Sequence, residues 1–402
     1  MFNYLGSNLA TFCDDLVTQT DFQPSDRAAS QAAKPTEERR VEAPSLPQQP
    51  NVVVVHDYLT GRGGAERVVL ALARGLTPSL IMSSLYAPES TFEGFADFNV
   101  QTSWLDRFAV LQSDHRRAFA LLRPTFSRMS VEGADVVICS SSGWAHGIQT
   151  TAPKIVYCHT PARWLHQPAD FFLDQQKMTR RAIAWTTAGL RRWDRQAAHS
   201  ATRYLANSSV VAKRIKRTYG IDADVVHPPP GLTPGPMSAI DGIEPGFLLS
   251  VGRNRRYKNV EAVVAAMAHL PGQRLITVGA GEPSQLTKNV QHVGNVSDEE
   301  LRWLYFSARA VVSAAYEDFG LCPIEGFSFG TPAVVLRAGG FLDTMVEGLT
   351  GVYFERAEPW AIAAAIRQLP DVPDVAGIKA HAAKFSAESF QSRMREVIAA
   401  VL

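Results

Sequence analysis

From Asn51 onward, short β-rich runs alternate with segments whose apolar positions recur at helical spacing. NVVVVHDY precedes AERVVLALARGL and SLIMSSLY. ADVVICSS, KIVYCHT and TRYLANSS follow, the last running into VVAKRIKRTYG. Alternating strands and helices predict a parallel sheet covered on both faces. A proline-rich stretch, HPPPGLTPGP from His227 to Pro236, interrupts the pattern. It then resumes with FLLSVGR, NVEAVVAAMAHL, RLITVGAG, VQHVGNV, a helix from Asp298 to Ser307, RAVVSAAY and TPAVVLRAG. The closing SAESFQSRMREVIAAVL is amphipathic, begins with a cap-like stretch and predicts a docking helix.

The predicted fold is therefore α/β, with two Rossmann-like, doubly wound parallel-sheet domains facing across a cleft. The expected boundaries are a first domain over 51–230, a linker over 231–245, a second domain over 246–378 and a closing helix over 379–402. Residues 1–50 are rich in Pro, Gln, Ala, Ser and charge in their later part and read as a disordered leader.

Composition narrows the function. Of 402 residues, 40 are basic and 39 acidic, so no global field favours nucleic acid or another polyanion, and an anion site must be local. Cys13, Cys139, Cys158 and Cys322 stand far apart without metal-ligand spacing, so neither zinc nor a disulfide framework is expected. The first residues lack a basic start and an apolar run, and no later stretch reaches the length of a spanning helix. A cytoplasmic protein, with peripheral contact at the inner face of the plasma membrane as an option, is expected.

Four segments carry candidate chemistry. HDYLTGRGGAER follows a strand and enters a helix through Gly61, Gly63 and Gly64, which let backbone amides approach a ligand at a positive helix end; a plain strand-to-helix turn is the bland alternative. Glu66 either accepts from a hydroxyl or complements the helix dipole. KIVYCHTPARWLHQ places His159, Arg163, Trp164 and His166 where the first domain meets the cleft, although a lone His is often structural. The stretch from Met178 to Arg195, which combines Arg180, Arg181, Arg191 and Arg192 with Trp185 and Trp193, reads as a membrane-surface helix or a solvated basic face. In SVGRNRRYKN, Arg253 and Lys258 follow a strand and form a natural diphosphate clamp, with Arg255 and Arg256 as possible additions. No Asp-rich triplet that would present Mg²⁺ is evident, so no metal and no cofactor are expected, charge being neutralised by side chains.

The run YEDFGLCPIEGFSFGTPAVVLRAGG is the most informative. Glu317 and Glu325 are separated by eight positions, a spacing that proves nothing alone. Its context is sharper. Glu317 is expected to end a strand, Phe319, Gly320 and Leu321 to form a turn with free amides, and Glu325 to lie in the first turns of a helix, together making a cradle for a sugar, a phosphate and a ribose.

With these motifs in this order, the chain resembles family 4 glycosyltransferases, retaining enzymes of the GT-B fold, from Asn51 to Leu402. ANSS, VGAGEP and GNVSDEEL add to the match. The resemblance implies that Glu317 holds donor-sugar hydroxyls and Glu325 the ribose, that Arg253 and Lys258 bind the diphosphate, and that His159 contacts the sugar near its anomeric carbon. Gly61, Gly63 and Gly64 would approach donor phosphate or acceptor. HTP and the HDYLTGRGGAER opening look most like GDP-mannose enzymes that extend lipid-linked saccharides in bacterial polysaccharide assembly. Arg163 and Trp164 depart from the aromatic pattern after HTP in many such members. A UDP-sugar donor remains an alternative. Rivals of another class are a nucleotide-dependent oxidoreductase, for which the glycine fingerprint is incomplete, an epimerase or phosphorylase of the same architecture, and a non-catalytic sugar-nucleotide binder.

Overall fold

A computed structural model of the chain describes residues 49–166, 177–252, 258–284 and 286–402. Arg253, Arg255, Arg256 and almost all of the leader lie outside the described residues, as do the side chains of Arg180, Arg181 and Trp185. Both sheets belong to one unit, Gln49–Leu402.

The first sheet contains β1 (Val52–His56), β2 (Leu80–Ser83), β3 (Val100–Thr102), β5 (Val136–Ser141), β7 (Lys154–Cys158), β8 (Arg203–Ala206) and β9 (Asp224–Val225). β4 (Ser130–Val131) and β6 (Gln149–Thr150) pair separately. The order β3-β2-β1-β5-β7-β8-β9 is parallel throughout. Strand side chains alternate between faces, and the core divides accordingly. Val53, Val55, Val137, Cys139 and Val156 pack on one face, and Val52, Val54, Val136, Ile138 and Ile155 on the other. Burial of both faces explains why β1 reads as an unbroken apolar run.

The second sheet has the order β12-β11-β10-β13-β14-β15, again parallel. Its strands are β10 (Leu248–Val251), β11 (Leu275–Val278), β12 (Val290–Gly294), β13 (Ala310–Ser313), β14 (Ala333–Leu336) and β15 (Gly351–Phe354). The C-terminal helix, Ala387–Ala399, buries Phe390, Met394, Val397 and Ile398 against the first domain's core, not the second's. Phe390 meets Tyr157 edge-on at 5.8 Å, and Arg395 donates to the Gly75 carbonyl at 3.3 Å.

Winding reverses at β1/β5 in the first sheet and at β10/β13 in the second. Ligands of open parallel sheets bind outside the carboxyl ends of strands at such reversals. HDYLTGRGG leaves β1, Ser142–Trp144 leave β5, Lys258 follows β10 and Glu317 follows β13. Winding alone thus brings the chemistry-bearing segments to the reversals.

Candidate functional site

At the carboxyl end of β1, His56 is buried, with Nδ1 2.9 Å from the Ser140 carbonyl and 3.1 Å from its hydroxyl. Ser140 Oγ lies 2.7 Å from His159 Nε2. Three strand ends are thereby joined by one polar chain, His56–Ser140–His159. Burial, reinforced by His56, lowers the His159 pKa to about 3, so its ring is neutral near pH 7. Asp57 accepts from the backbone N–H groups of Ser142, Trp144 and Ala145 at 2.6, 3.1 and 2.6 Å. That buried carboxylate fixes the turn after β5.

In the second domain, Lys258 forms an ion pair with Glu317, both side chains one-fifth exposed. Glu317 does not end the strand as expected: β13 stops at Ser313, and Glu317 lies in the following loop, its carbonyl accepting from Gly340 N–H at 3.0 Å. Gly320 takes φ of 87° at the start of the helix Leu321–Phe329, where a Cβ would come 2.3 Å from the Phe341 ring. Only glycine satisfies both constraints. The opening N–H groups of a helix lack intrahelical partners, as an anion site requires. Phe319 is a core residue, its ring buried and stacked on His227 at 5.4 Å.

Asp318 crosses between domains. Its carboxylate pairs with Arg163 and, at 2.7 Å, with Arg214, which also donates to the Thr160 hydroxyl. Ser208 Oγ donates to the Asp318 carbonyl, and Ser209 Oγ donates to Asp343 at 2.6 Å. The His159–Arg163 segment and the Glu317–Gly320 loop are consequently held together, with Thr160 and Asp318 sharing one guanidinium.

Glu325 is buried and already engaged. Oε1 accepts from the Gly231 N–H at 3.1 Å and Oε2 from the Tyr305 hydroxyl at 2.7 Å. The Gly231 carbonyl accepts from Arg67 of the first domain, so this linker peptide is gripped from both sides. Gly61, Gly63 and Gly64 permit close approach: a Cβ at Gly63 would lie 2.5 Å from a Glu66 carboxylate oxygen, and one at Gly64 would lie 3.4 Å from Leu321 across the domains. Gly61 accepts from Thr91 Oγ1 through its carbonyl at 3.0 Å.

The segment after β7 divides. Arg163 reaches the other domain, whereas Trp164 and His166 turn inward, contrary to their expected place at the cleft. Trp164 stacks on Trp144 at 4.8 Å and meets Phe119 at 4.3 Å. His166 bonds to Asp194 at 2.7 Å, and His146 lies 3.1 Å from the same fully buried carboxylate. Burial raises the Asp194 pKa, but bonds to the two histidines outweigh it and hold the group at about 2. Trp193 also faces inward, donating to Ser127 Oγ at 2.8 Å, while Arg192 and Arg195 are exposed.

Sequence reasoning missed Asp318, Arg214, Ser140, Asp57 and Asp343. Asp318 lies inside the EDFG run and Ser208 inside ANSS, so those motifs carried a signal. Nothing in linear spacing pairs Arg214 with a carboxylate 104 residues away.

Two family models match the chain: Glycosyltransferase Family 4 over residues 62–232 and Glycosyl transferases group 1 over residues 242–376. Alpha-1,3/1,6-mannosyltransferase ALG2 of Homo sapiens is 26% identical, with 91% of this chain and 99% of the relative covered. Among solved structures, Anabaena HepE in complex with UDP-glucose superposes with a TM-score of 0.61 at 15% identity, covering 87% of this chain and 99% of that one. Sucrose-phosphate synthase from Thermosynechococcus elongatus gives 0.62 at 18% identity, covering 87% and 100%. These two likenesses establish the two-domain fold.

Proposed function

Because the chain belongs to glycosyltransferase family 4, a hexosyltransferase with the GT-B fold, we propose that it moves mannose from GDP-mannose onto a saccharide acceptor with retention of anomeric configuration. The acceptor is a polyprenyl-diphosphate-linked saccharide of cell-surface polysaccharide biosynthesis. The observation that carries the reading is the Lys258–Glu317 pair beyond β10 and β13, clasped to the His159 segment through Asp318. The named activity of the human relative favours mannose over other hexoses.

In this reading, donor binding exchanges the Lys258–Glu317 pair for two contacts, Lys258 with the diphosphate and Glu317 with sugar hydroxyls. Arg253 shares the diphosphate. Glu325 accepts a ribose hydroxyl in addition to Gly231 and Tyr305, since a carboxylate offers about four lone-pair sites. Gly320 and Leu321 present amides to phosphate, and Gly61, Gly63 and Gly64 line the approach of donor phosphate or acceptor. The glycosidic bond to the diphosphate breaks through an oxocarbenium-like transition state while the acceptor oxygen bonds the anomeric carbon on the same face. A departing phosphate oxygen takes the acceptor proton. Lys258 stabilises charge developing on the leaving diphosphate, an electrostatic effect worth about 3 kcal/mol per preorganised donor. His159, neutral and anchored by Ser140, lies beside the sugar without bringing a competing positive charge.

Among the described residues no helix is long and apolar enough to cross a membrane. Membrane contact in this reading is peripheral, at the inner face, with exposed Arg192 and Arg195 facing anionic lipid. A UDP-sugar donor is the second reading, favoured by the UDP-glucose complex of the Anabaena structure. Purified protein mixed separately with GDP-mannose, UDP-glucose and UDP-N-acetylglucosamine in EDTA, followed by thermal shift and donor hydrolysis, decides between them. Stabilisation and turnover by GDP-mannose are expected; a response confined to UDP-sugars overturns the mannose reading, and a need for added Mg²⁺ overturns metal independence.

A further inference from the structure

A cavity of about 440 Å³ lies between the first-domain helix Gly64–Leu76, the linker at Pro229–Gly231 and the start of the C-terminal helix. None of His159, Lys258 or Glu317 lines it. Three arginines do: Arg62, Arg67 and Arg74. Arg67 and Arg74 stand two turns apart on one helix face. Arg62 donates through Nε to the Thr91 carbonyl at 3.0 Å. Arg67 lies over the Phe92 ring, 4.8 Å from its centroid, and donates to the Gly231 carbonyl. A Cβ at Gly94 would come 2.9 Å from an Arg74 terminal nitrogen, and a Cβ at Gly231 would occupy the space of Arg67, so both glycines make room for guanidinium groups.

Among the described residues, no carboxylate forms an ion pair with any of these arginines. Among the described residues of the lining, Glu93 and Asp298 are the acidic ones, so three positive groups stand against two negative ones. Two of the forks are already oriented, one by a carbonyl and one by a carbonyl and a ring, and each retains further N–H groups. Oriented guanidinium forks match the geometry of phosphoryl oxygens. The volume suits a small molecule.

We propose that this cavity binds the phosphoryl group of a small anionic metabolite, and that its occupancy is communicated to the donor site through the Gly231 peptide. Arg67 holds the Gly231 carbonyl and Glu325 accepts from its N–H, so a ligand that draws on Arg67 acts one peptide away from Glu325. The coupling rests on Glu325 being a donor contact, as read above; the binding does not.

The test is calorimetry on the full chain, with inorganic phosphate and glucose 6-phosphate as probes. A Lys258→Ala background weakens the diphosphate clamp as an alternative anion site, and Arg74→Ala tests the cavity. Binding is expected to survive Lys258→Ala and to weaken at least about tenfold in Arg74→Ala, the loss of one charge-assisted fork. Tighter binding of glucose 6-phosphate identifies an organic phosphate as the ligand, and equal binding identifies free phosphate. Absence of binding, or equal affinity with and without Arg74, overturns the site. Phosphate is also expected to change GDP affinity at least about threefold in wild type and not in Arg74→Ala, in keeping with reciprocal linkage; an unchanged GDP affinity overturns the coupling. Because the binding measurements require no turnover, loss of the mannosyl reading would leave them intact.

Discussion

Neutral His159 gives the protein a pH-dependent weakness that a single substitution should remove. In the folded chain its pKa is about 3, while in an unfolded chain it is near the ordinary 6.5. Above pH 6.5 neither state carries the proton and the group costs nothing. Between 6.5 and about 3 the unfolded chain binds a proton that the folded chain refuses, so stability falls by about 1.4 kcal/mol per pH unit. From pH 7 to pH 5 the loss is about 2 kcal/mol, a figure unchanged for any folded value well below 5. His159→Gln retains an amide able to bond Ser140 but cannot titrate. Urea unfolding of both proteins at pH 7 and pH 5 should therefore show wild type losing about 2 kcal/mol more than the variant. In the same range, the His159 ring resonance of wild type, assigned by its loss in the variant, should not titrate. Equal pH losses in the two proteins, or a His159 resonance that titrates near 6.5, would refute the account of burial behind the neutral ring.

Three further outcomes are expected. Asp318→Asn removes the charge shared by Arg163 and Arg214; transfer should fall at least about tenfold, with faster proteolysis near the linker, because each lost charge-assisted bond carries roughly 1.5–3 kcal/mol, and unaltered turnover and proteolysis would exclude an interdomain role. Glu317→Gln and Lys258→Ala should each sharply reduce transfer with unchanged circular dichroism, the lysine by about 10²–10³ through lost stabilisation of leaving-group charge; a near wild-type rate in either would remove that residue from the site. Gly320→Ala combines a left-handed φ with a 2.3 Å approach to Phe341 and should lower stability by about 2 kcal/mol or more, whereas an unchanged melting temperature would show that the loop relaxes freely.

Much of the architecture was legible because it depends on local rules. Apolar runs such as Val52–Val55 and Val136–Ile138, alternating with helical periodicity, specify parallel strands buried on both faces, and this pattern recurs after the proline-rich break. Ordered motifs then singled out Lys258, Glu317 and Glu325 as candidates; the structure pairs the first two and sets Glu325 within the helix Leu321–Phe329. The paths of Arg214 to Asp318, of Ser140 between His56 and His159, and of Arg67 and Glu325 to either side of Gly231 were not encoded locally. Each depends on how two sheets dock, so partners arrive from distant segments. The same docking decided that Trp164 and His166 would turn into the first domain while Arg163, one residue before Trp164, reached the second. Side-chain direction within a short turn follows from which surface offers a buried apolar neighbour or an opposite charge. Sequence alone therefore determined the strands, helices and chemical inventory; tertiary packing decided which charges meet and which rings are sealed from water, because desolvation and ion pairing act through space.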